Sequence, residues 1–218
     1  MVLTLFGCEN DDTGPRTDIL YFPLKTGFYQ EYAVDEKRYE VNSDPVESTY
    51  RIRMQVVDSF PASAGGFVYV IHRSKSTDTP GSWVSLDTWS VRRDGNTFVV
   101  AEGNTSFVKL IAPIEEGGKW DGNAFNTMDK DEYVARDVGK PFAVDDQTFD
   151  NTITVEQESN EDPIVFHDVR REVYAREVGL IYKKVVQLKY CTTNECLGLQ
   201  RIDEGIELEM RIVDYGTQ

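Results

Sequence analysis

The chain has 218 residues, with 38 Asp or Glu against 23 Lys or Arg, and a formal net charge of -15. That length builds one domain with a sizeable core. The acidic balance excludes a nucleic-acid binder, because phosphate contact needs a basic footprint, and reads as a solvated surface that keeps the protein soluble.

The first element is an apolar start, Met1-Val2-Leu3-Thr4-Leu5-Phe6-Gly7, which meets Cys8 and then turns abruptly polar at Glu9-Asn10-Asp11-Asp12. An apolar run closing on a small residue is how a secretory signal ends. Leu5-Phe6-Gly7-Cys8 resembles a bacterial lipobox, in which the Cys thiol carries a diacylglycerol and the mature chain begins at that Cys. The alternative is an ordinary apolar N-terminus with a stray cysteine. Only seven residues precede Cys8 and none is Lys or Arg. A working signal needs a basic start and a longer apolar core, so a mis-assigned start or a shortened chain is expected. Residues 1–7 are then a signal-peptide remnant, 8–18 a lipidated Cys8 with an acidic, turn-prone tether, and 19–218 a single β-domain. Two or three acyl chains at ~0.8 kcal/mol per buried CH2 would hold the protein to a bilayer. No later apolar run reaches eighteen residues, so the lipid is the expected membrane attachment.

From residue 28 onward the pattern is period-two alternation. Strands are predicted at 28–41, through Tyr50–Val56, at 67–71, through Trp89 and Val91, and through Phe98 and Val100. Others are predicted at 106–111, 131–136, 152–156, 179–190, 199–204 and 206–212. Phe67–Ile71 is continuously apolar, so it is expected to be covered on both faces. Arg93-Asp94-Gly95-Asn96 is the clearest hairpin turn, its Asp-Gly supplying positive φ angles. Val165, Val169 and Val173 fit a strand, while Phe166, Val169 and Val173 also fit a helical face; strand is preferred. Breakers such as Ser43-Asp44-Pro45, Ala64-Gly65-Gly66 and Asn160-Glu161-Asp162-Pro163 recur at the spacing of an antiparallel meander. So many strands must hide their edges. The fold class is therefore all-β, an antiparallel meander forming a closed or half-closed β-barrel, with a two-sheet β-sandwich as the alternative.

Cys191 and Cys196 bracket a short Thr/Asn-rich loop and, in an oxidising compartment, should form a disulfide. A metal site is not expected there, because no further Cys or nearby His supplies the remaining ligands. Asp121–Asp131 is rich in oxygen ligands but lacks the spacing of an EF-hand, so neither metal nor cofactor is assigned.

Three landmarks together resemble a family of uncharacterised Bacteroidota lipoproteins. They are Tyr21-Phe22-Pro23-Leu24-Lys25-Thr26-Gly27 leading to Tyr29 and Tyr32, then Gly118-Lys119-Trp120-Asp121-Gly122, and Tyr174-Ala175-Arg176-Glu177-Val178-Gly179-Leu180-Ile181-Tyr182. Phe28-Tyr29-Gln30 stands where a Trp is common in that family. The similarity implies an exported all-β domain and brings no reaction with it. The acidic cluster after Cys8 resembles the tag that sends such lipoproteins to the outer face of the outer membrane.

Catalytic motifs are missing from the sequence: no Gly-x-Ser-x-Gly elbow, no phosphate loop and no paired-histidine metal motif. His72 and His167 read as ordinary strand residues. Acidic pairs (Glu115-Glu116, Asp129 with Asp131, Asp145-Asp146, Glu161-Asp162) are numerous because acids are numerous. Aromatic residues are the better lead. Trp83 and Trp89 share a parity on one predicted strand and, with Trp120, could line a barrel cavity for a small apolar or glycan ligand, or could pack in the core. The sequence thus favours a non-enzymatic, lipid-anchored binding or envelope-interaction module. The alternatives are a hydrolase on an envelope polymer using a carboxylate pair, and a structural subunit partnered with an envelope protein.

Overall fold

The structure, a computed structural model, describes residues 20–63, 65–76, 82–162 and 164–218; Cys8 and its tether lie outside them. Twelve strands follow one another with no α-helix among the described residues: β1 (Phe28–Tyr39), β2 (Val46–Pro61), β3 (Phe67–Ser76), β4 (Val84–Asp94), β5 (Thr97–Glu102) and β6 (Thr105–Ile111). The second half holds β7 (Lys119–Asp121), β8 (Glu132–Val144), β9 (Gln147–Glu161), β10 (Phe166–Ala175), β11 (Gly179–Tyr190) and β12 (Ile202–Thr217). All pair antiparallel in one sheet of order β6-β5-β4-β3-β2-β1-β12-β11-β10-β9-β8-β7.

Every neighbour in that order is also a neighbour in sequence, except β1 and β12, which join the two ends of the chain. Their ladder runs from Phe28↔Thr217 to Tyr39↔Gly205. The two edge strands, β6 and β7, then meet. Val108 N–H donates to Gly122 O at 2.8 Å, the Trp120 indole donates to Val108 O at 3.0 Å, and the Asn126 amide donates to Ser106 O at 2.9 Å. These bonds close the meander into a nearly complete barrel, sealed along one short seam. Raw edges are thereby removed, as a long antiparallel sheet requires.

Side chains fill most of the interior. Near the seam Trp120, Tyr133, Leu110, Ile153 and Val155 pack together. The segment before β1 caps one end: Glu177 N–H donates to Leu20 O at 2.7 Å, and the Phe22 ring lies 5.5 Å from Phe98 and 6.0 Å from Tyr174. A second core cluster joins the interior residues Ile52 and Met210 to Val144 and Phe149 of the β8–β9 hairpin. Positive φ at Asp137 and Gly139 accompanies the break in the β8–β9 ladder, where Arg136↔Thr154 is followed by Lys140↔Thr152. The far part of this hairpin reaches strands beyond β10, with Phe142 5.4 Å from Tyr182 on β11 and Phe149 6.3 Å from Tyr215 on β12. Val173, Ile181 and Val144 are buried in the same cluster.

Several sequence expectations change. Phe67–Ile71 is not covered on both faces: Phe67 is 51 % exposed and Val68–Ile71 are half-buried. A single sheet curled on itself leaves its outer face in water unless something folds over it, and the β8–β9 arm lies elsewhere. The hairpin after β4 pairs Asp94 with Thr97, so Gly95 and Asn96 are its central residues and only Gly95 takes positive φ, at 58°. The segments 199–204 and 206–212 are not two strands, because β12 runs unbroken through Gly205. There a Cβ would collide with the backbone of Gln187 and Leu188, so this glycine marks close strand packing rather than a strand end. The ambiguous segment is strand β10. The short strand β7, unpredicted, exists because Trp120 and its neighbours pair with Glu132–Val134.

Candidate functional site

The barrel interior keeps a cavity of about 270 Å³. One wall is apolar, built from Ile52, Met54 and Val56 of β2, Ile71 of β3 and Met210 of β12. Phe22, Pro23, Leu24 and Phe28 close the capped end and also line a wider open hollow of about 1090 Å³ at the barrel rim. The cap is therefore a partition between the cavity and the outside.

The other wall is charged. Glu172 of β10, 1 % exposed, accepts from Lys109 Nζ and Lys183 Nζ at 3.0 Å each, and from the Tyr174 hydroxyl at 2.6 Å. Lys109 Nζ also lies 2.8 Å from Glu102 Oε1, although that oxygen is poorly aligned for a hydrogen bond. Local irregularity puts the lysine there. Phe98 pairs with Leu110 and Val99 with Val108, so Lys109 is the extra residue of a β-bulge. Two acids and two ammoniums balance in this cluster. Burial pushes the Glu172 carboxyl up, but Lys109 and Lys183 more than reverse it and hold it well below the usual carboxylate range. Glu102 is held low in the same way, burial again opposed by Lys109 and Lys183. Lys109 is raised, its own burial outweighed by Glu172 and Glu102.

Arg73 of β3 completes the lining. Its guanidinium stacks 3.9 Å from the Trp89 ring centroid. Nη1 donates to both carboxylate oxygens of Asp87, at 2.9 and 3.2 Å. Nε is buried and has no acceptor.

The three tryptophans fall in three different places. Trp89 lines the cavity. Trp83 precedes β4, is half-buried and is not among the lining residues. The shared parity expected for Trp83 and Trp89 does not hold, because Asp87 faces Arg73 while Ser85 faces Ser74, leaving Leu86 as an extra residue. Trp120, 8 % exposed, packs edge-on against Tyr133 at the seam. Cys191 and Cys196 form a disulfide in the loop before β12.

The acidic pairs singled out by sequence do not line the cavity. Glu115, Glu116, Asp145 and Asp146 sit in exposed connections, and Asp131 is bound by the Arg170 guanidinium at 2.7 Å. Asp121 Oδ1 accepts the backbone N–H groups of Asn123 and Asp131. Among the described residues no group of three His, Cys, Asp or Glu side chains is arranged to hold a metal ion. His72 Nε2 lies 2.9 Å from Ser85 Oγ on the exposed side of β3. Arg73, Glu102, Lys109 and Glu172 were not singled out by sequence. The available signal was Lys109 itself, a lysine set between Val108 and Leu110 in a short strand.

No family model matches the chain, and no curated protein does. Two solved structures are similar to it. One is a "putative exported protein with YmcC-like fold" from Bacteroides fragilis NCTC 9343, 12% identical, covering 91% of this chain and 99% of that one at a TM-score of 0.47. The other is a "putative lipoprotein" from Parabacteroides distasonis ATCC 8503, 10% identical, covering 90% and 98% at a TM-score of 0.44.

Proposed function

We propose that the protein is an exported, lipid-anchored β-barrel of the outer membrane that binds a small ligand in its interior and performs no chemistry on it. The observation that carries the reading is the 270 Å³ cavity, apolar on one wall and bounded at one end by Phe22, Pro23, Leu24 and Phe28. Its size lies near the lower end of ligand-binding pockets. The Cys8 motif supports the anchor, and the Cys191–Cys196 disulfide fits an oxidising compartment outside the cytoplasm. A hydrolase is disfavoured on chemical grounds. The two carboxylates of the cavity are both held ionised by lysines, so neither keeps the proton that a glycosidase acid must donate.

Fluorescence titration with aminoanthracene, a neutral apolar dye, tests the cavity. One saturable site is expected, with quenching of tryptophan emission, and a filled variant, Ile52→Phe, should lose it. Absence of saturable binding by a folded wild-type protein overturns the reading. Mass spectrometry of protein taken from its own membranes checks the anchor, and an unmodified Cys8 removes it.

A further inference from the structure

The unmet hydrogen-bonding group of the cavity says what kind of ligand it takes. A buried donor without an acceptor is uncommon and costly, more so when it belongs to a charged group. Five buried side-chain polar atoms of the described residues lack a hydrogen-bond partner: Arg53 Nε and Nη2, Arg73 Nε, Glu102 Oε1 and Arg171 Nε. Of the residues that carry them, only Arg73 and Glu102 line the cavity. Glu102 Oε1 already has the Lys109 ammonium at 2.8 Å, which leaves Arg73 Nε as the vacant position.

Arg73 is also fixed in place. Asp87 grips Nη1 from one side, and Trp89 supports the guanidinium face. The edge bearing Nε and Nη2 is the fork that receives a carboxylate side-on. A solvent-exposed arginine would satisfy that edge with water and spend side-chain entropy on each new contact. This one is held before any ligand arrives, and such preorganisation raises affinity.

Charge leaves the same group open. The lining carries three cations (Arg73, Lys109, Lys183) and two anions (Glu102, Glu172), and Asp87 supplies the third anion from beside Arg73. The Lys109–Glu172–Lys183–Glu102 group is internally balanced, and Asp87 engages Arg73 through Nη1, so the Nε position is the donor left for a ligand. Arg73 adjoins the apolar wall: it pairs with Met54 of β2, and Ile71 lies two residues before it on β3. A volume of 270 Å³ corresponds to about nine waters of liquid. A polar solute of that size would leave the apolar wall unmatched, and a neutral hydrocarbon would leave Arg73 Nε without an acceptor.

We propose that the cavity takes a small amphipathic anion, with an oxyanion head accepting from the Arg73 fork and a short hydrocarbon body against Met54, Val56 and Ile71. This rests on the reading that the cavity is a binding site. It goes further by naming the ligand's chemistry and the residue that selects it.

Calorimetric titration with three probes sharing one eight-carbon body decides the matter: octanoate, octanol and protonated octylamine. Octanoate should bind about tenfold or more tightly than octanol, the effect of one charge-assisted bond, and octylamine should bind worst. Arg73→Gln should reduce octanoate affinity to that of octanol. Arg73→Lys, which keeps the charge without the fork, should recover only part of the preference. Equal binding of octanol and octanoate, or a preference for octylamine, overturns the anion assignment while leaving the cavity reading intact. Failure of all three to bind, together with failure of aminoanthracene, removes both. Because the wild-type series alone discriminates, the test holds even where Arg73→Gln does not fold.

Discussion

Glu172 is the residue on which the charged wall turns. It receives Lys109, Lys183 and the Tyr174 hydroxyl while 1 % exposed, so its removal takes the shared carboxylate from buried Lys109 and partly buried Lys183. Breaking a buried pair from one side is far more damaging than replacing the whole pair, at about 3–5 kcal/mol. Glu172→Leu is expected to lose that much in urea denaturation at pH 7; a wild-type midpoint would mean that the cluster is wetter than its geometry shows. The pH profile gives an independent reading. Glu172 and Glu102 titrate below their unfolded values, so their stabilisation is complete above about pH 4.3 and drains away as pH falls toward the folded values. In Glu172→Leu the acid limb should be shallower. Little of this was legible in the sequence. Acids and lysines are scattered along the chain, and only a β-bulge decides that Lys109 turns inward. Arg73 was equally hidden, because its partner Asp87 and its platform Trp89 sit on β4, whose register is broken at Leu86.

At the level of elements, legibility follows regularity. Strands whose outer face meets water show alternation, and β1, β2 and β12 were readable for that reason. β10 was read as a strand against a helical alternative, and the ambiguity has a cause: Val173, near its end, is covered by the β8–β9 arm, and residues buried on both faces lose their alternation. The seam shows how a short element can matter. β7 spans only Lys119–Asp121, yet its Trp120 donates to Val108 O and its neighbour Gly122 accepts from Val108 N–H. Trp120→Phe retains an aromatic ring and deletes one donor, so a loss of about 1 kcal/mol is expected. Hydrogen exchange should localise the change: the Val108 amide should exchange faster in the variant, while amides of the β1–β12 ladder stay at wild-type rates. Uniform acceleration across the sheet would show that the seam does not open on its own.

For the molecule as a whole, chain order and spatial order disagree at one place, and that place governs assembly. Each hairpin from β1 to β6 and from β7 to β12 closes locally. The β1–β12 ladder joins opposite ends of the chain, from Phe28↔Thr217 to Tyr39↔Gly205, with Gln218 N–H donating to Gly27 O at 3.0 Å. Loop closure over such a separation is the slow step of a β-topology. The only other closure, at the seam, has a single backbone hydrogen bond among the described residues. A circular permutant should therefore exploit the asymmetry. Joining Gln218 to Leu20 through about ten Gly and Ser residues is feasible, because Gln218 touches Gly27, which lies within about 25 Å of chain from Leu20. New termini would open between Ile114 and Glu115, in the connection that crosses the seam. The permutant makes β1–β12 a local pair and leaves every ladder intact, so it should show the wild-type circular dichroism and stability within about 1 kcal/mol. It should also refold faster in stopped-flow mixing, since its mean contact separation falls. Refolding at or below the wild-type rate would locate the slow step elsewhere, and a permutant that fails to fold would show that the 112–118 connection holds the seam shut.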